Sequence, residues 1–80
     1  MPTVLRVDGF EVAILTRDEH PPPHVHVYTG DEEIVIELDP LSVRESYMRP
    51  KNAARAWLIV QGEQGFLLQR WIEIWKMRHG

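Results

Sequence analysis

The chain has 80 residues, a net charge of −3, 44% hydrophobic residues and no cysteine. One domain over residues 1–80 is therefore expected, and disulfides and Cys-type zinc sites are excluded. The negative balance argues against a general nucleic-acid binder. No apolar run reaches the roughly 20 residues of a membrane helix, and MPTVLRVDGF has no secretory leader pattern, so a cytoplasmic protein is expected.

The first element is a β-hairpin. Val4–Val7 and Phe10–Leu15 are β-rich and flank Asp8-Gly9, a two-residue turn signal. That loop sets Val7 opposite Phe10, Arg6 opposite Glu11 and Leu5 opposite Val12. Apolar side chains then share one face, and Arg6 meets Glu11 on the other.

Next comes HPPPHVHVY, residues 20–28, with three of the four histidines and three of the six prolines. Three prolines in a row cannot donate to a ladder and favour extended backbone, so they lead into a strand. A second hairpin follows, His24–Thr29 and Glu32–Leu38 around Gly30-Asp31. Counting from that turn sets Thr29 opposite Glu32, Tyr28 opposite Glu33, Val27 opposite Ile34, His26 opposite Val35, Val25 opposite Ile36 and His24 opposite Glu37. Val25, Val27, Ile34 and Ile36 form a core face. His24, His26, Tyr28, Glu33, Val35 and Glu37 lie opposite. A slip of one residue would bury the carboxylates, so the register is strongly specified.

Asp39-Pro40 ends the strand, and LSVRESYM reads as a connector with at most one helical turn. Pro50 suits the first turn of a helix. From there Ala53, Trp57, Val60, Gln64, Leu67/Leu68, Trp71 and Trp75 recur at three- and four-residue spacings. The pattern predicts a helix from Pro50 to Lys76, weakened or broken near Gly62–Gly65. The expected fold class is α+β: two N-terminal β-hairpins form an antiparallel sheet, and the C-terminal helix packs on one face.

The alternation of strand three carries His24 and His26 to the face away from the core, with Glu37 across from His24. Three readings stay open. Two His on one strand, joined by His20 or Glu37, could share a divalent metal such as zinc, although no motif demands a cofactor. His24 and His26 beside Glu37 could do acid/base chemistry, as in a small ribonuclease. The rings, with His20, Pro22, Pro23 and Tyr28, could instead form a structural or interface patch.

Charge divides along the chain. Residues 1–40 carry nine acidic and two basic side chains; residues 41–80 carry three acidic and seven basic. Arg44, Arg49, Lys51 and Arg55 crowd the helix entry, where they could contact phosphates or answer the acidic hairpins. So small a chain with three tryptophans is expected to bind a small protein or to self-associate.

These residues also resemble a known family. Met1–Phe10, His20–Val27, Leu38–Pro40, Ile59-Val60 and Leu67–Trp71 are similar to the short bacterial domain-of-unknown-function family 4160. PPHVHV is the specific element, and His20, Pro22, Pro23, His24 and His26 are its motif positions here. Gly62 and Gly65 depart from the family pattern, where polar helix formers stand. The resemblance implies a cytoplasmic bacterial protein, often encoded beside a second small protein as in a toxin–antitoxin-like pair. It implies no catalytic residue. The expected function is an interaction protein, one component of such a module. The alternative is a small ribonuclease or metal-binding enzyme using His20, His24 and His26 with Glu37.

Overall fold

The structure is a computed structural model that describes residues 3–15 and 21–79, the side chains of 78 and 79 excepted. Five strands form one antiparallel meander in the order β1-β2-β3-β4-β5: β1 Thr3–Val7, β2 Phe10–Ala13, β3 His24–Thr29, β4 Glu32–Leu38 and β5 Leu41–Ser46. Two helices follow, α1 Pro50–Gly62 and α2 Gln64–His79. The fold is α+β, as expected.

Both hairpins take the registers that their turns dictate. Val7 faces Phe10, Arg6 faces Glu11 and Leu5 faces Val12. Every β3–β4 pair, from His24–Glu37 to Thr29–Glu32, is as counted. Asp8 and Gly9 both take positive φ, 50° and 82°, the signature of a type I′ turn. In the second loop Gly30 takes φ 57° ahead of Asp31, as type II′ requires.

The sheet is larger than two hairpins. β2 and β3 pair directly, with Glu11 opposite Tyr28, Val12 opposite Val27 and Ala13 opposite His26. The segment expected as a connector with a helical turn is strand β5. Asp39 and Pro40 form a tight loop that lets Leu41 face Leu38. Without β5, half of the backbone groups of β4 would lack ladder partners on that side. Arg44 is an extra residue in β5, because Val35 faces Glu45 while Ile36 faces Val43.

The helices pack on one face. α1 lies against β4, and α2 against β3 and β4. Val12, Val25, Val27, Ile34, Ile36 and Leu38 point into this layer and meet Ala56, Val60, Leu67 and Trp71, all buried. Trp57 and Trp75 are half-buried beside them, and Trp71 and Trp75 stack with centroids 5.4 Å apart. The tryptophan stripe is therefore core.

The expected weak point near Gly62–Gly65 is a break between two helices. Pro50 stands in the first turn of α1 as expected. The break falls at Glu63, whose N–H donates back to the carbonyls of Ile59 and Val60. Gln64 then donates its side-chain N–H to the Leu38 carbonyl at 2.6 Å, which fastens the joint to the end of β4. Among the described residues, no helix is long and apolar enough to cross a membrane.

Candidate functional site

Among the described residues, no helix lies on the second face of the sheet. Strand alternation sends every other side chain there: His24, His26 and Tyr28 from β3, Glu33, Val35 and Glu37 from β4, and Ala13 and Glu11 from β2. The three rings of β3 form a row. His24 and His26 meet edge to face at 5.4 Å, and His26 stacks on Tyr28 at 6.4 Å with planes 12° apart.

The row is not an open array of imidazoles. β3 is the central strand, and His24 is 4% exposed. Its Nδ1–H donates to the Pro22 carbonyl at 3.0 Å, so the proline run fixes this ring as well as leading into the strand. His26 is partly accessible, and its Nδ1–H donates to the Glu33 carboxylate at 2.9 Å. Ala13 and Val35, its neighbours on the flanking strands, are buried.

The expected placement of Glu37 across from His24 is present in the β3–β4 ladder. The two residues face each other, but the Glu37 carboxylate accepts from Arg44 Nε at 3.0 Å. Among the described residues, the carboxylate that holds an imidazole belongs to Glu33, diagonal to His26. Diagonal neighbours of this kind lie about 7–8 Å apart, within reach of long side chains. Glu33 was legible in principle from the hairpin register. Arg44 was not, because its position depends on β5.

His20 lies outside the described residues. Pro22 is exposed and Pro23 half-buried; the Pro23 carbonyl accepts from Leu38 N–H at 2.9 Å. Among the described residues, no three His, Asp or Glu side chains stand close enough together to hold a metal ion.

Three basic residues around the helix entry answer the acidic first half. Arg44 pairs with Glu37, Arg49 with Glu32 at 2.9 Å, and Arg55 with Asp8 at 3.8 Å. Arg49 also donates its backbone N–H to Glu32, and Asn52 adds a further bond. The Arg49 backbone N–H is the largest influence holding the Glu32 carboxyl below the ordinary carboxylate range, with Asn52 and the Arg49 charge helping and burial opposing.

A shallow groove along α2, lined by Leu68 and Ile72 between Gln69, Glu73 and Lys76, belongs to the helical layer and not to the ring row. The family model for a domain of unknown function, DUF4160, matches residues 9–72. That span takes in β2 through most of α2 and the whole ring row. No curated protein and no solved structure matches the chain.

Proposed function

The chain belongs to the DUF4160 family, and we propose that it works as an interaction protein, one component of a two-protein module of toxin–antitoxin type that binds a small protein partner over the sheet face opposite α1 and α2. One observation carries the reading: on that face three rings of β3 are held in contact with one another, and the carboxylates around them are already paired. Tyrosine beside locked polar groups suits a protein interface, since little side-chain entropy remains to be lost. An antiparallel sheet can also leave one face simply wet. A wet face, however, does not need stacked and anchored rings.

Protein fits this face better than RNA. Glu11, Glu33, Glu37 and Glu45 surround the rings, and phosphates would be repelled there. Arg44, Arg49 and Arg55 are engaged by carboxylates of the same chain.

The test is to induce the chain in a bacterial host alone and together with a small protein encoded beside it, the arrangement that the family resemblance implies. The expected result is a growth effect from one component that the pair relieves, and a complex that co-elutes. Tyr28→Ala should weaken that complex roughly tenfold or more while the fold is kept. The reading fails if the two proteins neither bind nor alter growth.

The His26–Glu33 contact at 2.9 Å favours a second reading. A carboxylate that orients an imidazole is half of a general acid/base site. In a small ribonuclease His26 with Glu33 would take the role first expected of His24 and His26 with Glu37. RNA cleavage by the wild type that His26→Ala abolishes would establish it.

A further inference from the structure

β5 closes one edge of the sheet and is open along its length. Ser42 to Tyr47 are all exposed, and Val43, its central apolar residue, is 48% exposed. The strand LSVRES has no proline or lysine, the residues that most often blunt an edge. Its outward backbone groups have no strand beside them among the described residues. The bulge at Arg44 and the charges of Arg44 and Glu45 are the protective devices this strand carries, and the bulge has a second consequence.

In a regular strand, neighbouring residues point to opposite faces. Here they do not. Ser42 faces Glu37 and Glu45 faces Val35, both on the side of the ring row. Arg44 reaches Glu37 on the same side, and the Tyr47 hydroxyl donates to Glu45 at 3.4 Å. Val43 and Ser46 face Ile36 and Ile34 and so lie on the helix side. Arg44 and Glu45 therefore stand next to each other on one face with opposite charges.

We propose that β5 pairs antiparallel with the β5 of a second copy of this chain, about a twofold axis that sets Arg44 opposite the second copy's Glu45. The axis then also sets Val43 opposite Ser46 and Ser42 opposite Tyr47. Each pair joins residues of the same face, which a sheet requires. The contact is isologous, so the ion pair forms twice. Arg44 keeps its bond to Glu37 through Nε, and the two outer nitrogens of the guanidinium serve the second copy.

Alternative registers fail on charge and on face. A shift of one residue one way puts Arg44 against Arg44, and the other way Glu45 against Glu45; like charges directly opposite are unfavourable. Both shifts also oppose helix-side to ring-side residues. The other edge, β1, offers Arg6 as its single charged residue and so has no complementary charge for self-pairing.

The dimer is a continuous ten-stranded sheet with both helical layers on one side and both ring rows on the other. It removes one open edge from each chain and enlarges the core of a marginally small domain. The proposal concerns the sheet edge and stands whether or not the ring row binds a partner.

Sedimentation velocity of the full chain at about 100 μM, where a weak edge contact is populated, tests it with two charge variants. Wild type should sediment as a dimer of the 9.4 kDa chain. Arg44→Glu and Glu45→Arg each bring like charges together twice, and each should dimerise about tenfold more weakly or not at all. An equimolar mixture of the two should recover the dimer, because the paired acidic side chains of one variant then meet the paired basic side chains of the other. This recovery also shows that both variants are folded. As a second readout, Val43→Cys/Ser46→Cys should form a disulfide-linked dimer, since the chain has no other cysteine. A monomeric wild type, or dimers that both charge variants leave intact, overturns the proposal.

Discussion

Replacing Leu67 by Ala measures how α2 is phased on the sheet. Leu67 is 0% exposed and sits in the cluster with Val60 and Trp71, between α2 and strands β3 and β4. Its neighbour Phe66 is 45% exposed. Truncating a buried leucine typically costs about 2–5 kcal/mol, from lost transfer energy plus the cavity left behind. A domain of this size has a total stability of about 4–12 kcal/mol, so a middle value of about 3 kcal/mol is a large share. At about 4–8 °C per kcal/mol, Leu67→Ala should lower Tm by about 12–24 °C. Phe66→Ala deletes more atoms yet should cost at most about 1 kcal/mol, because much of that ring already faces water. Thermal unfolding followed by fluorescence of Trp57, Trp71 and Trp75 reads both. A larger fall for Phe66→Ala than for Leu67→Ala would show that the helix is rotated from the orientation described.

Two further outcomes follow from the ring row and the helix entry. His24→Ala should destabilise the fold by about 1–3 kcal/mol, because it leaves a buried gap and strips the Pro22 carbonyl of its donor. His26→Ala should cost less, and denaturant titration that ranked them in reverse would contradict the burial described. Glu32→Gln should make stability less sensitive to acid. A carboxyl whose folded pKa is depressed stabilises the protein above its unfolded pKa, and that contribution is lost as pH falls through the folded value. The stability difference between wild type and Glu32→Gln should thus be steady near neutral pH and shrink below about pH 4. A difference that grew with acidification would refute the account.

Local information determined the two hairpins. A two-residue loop leaves no freedom in pairing, and period-two alternation leaves none in facing, so Asp8-Gly9 and Gly30-Asp31 specify the cross-strand neighbours of both hairpins from the sequence alone. Pro50 and the Trp57–Val60–Trp71 spacing likewise told where helix begins and which stripe it buries. The row of His24, His26 and Tyr28 on the face away from the core was legible for the same reason.

What tertiary structure decided was everything that depends on a neighbour distant in sequence. β5 has a single apolar residue at its centre, so no hydrophobic period announces it; it is a strand because the edge of β4 needs backbone partners. That strand delivers Arg44 to Glu37, which leaves Glu33 as the carboxylate on His26. The burial of His24, whose Nδ1–H is held by the Pro22 carbonyl, is a property no local pattern reveals. The helix break was foreseeable as a weakness at two glycines. Its location at Glu63 is set by where Gln64 can reach the Leu38 carbonyl, so the sheet determines where the helix ends.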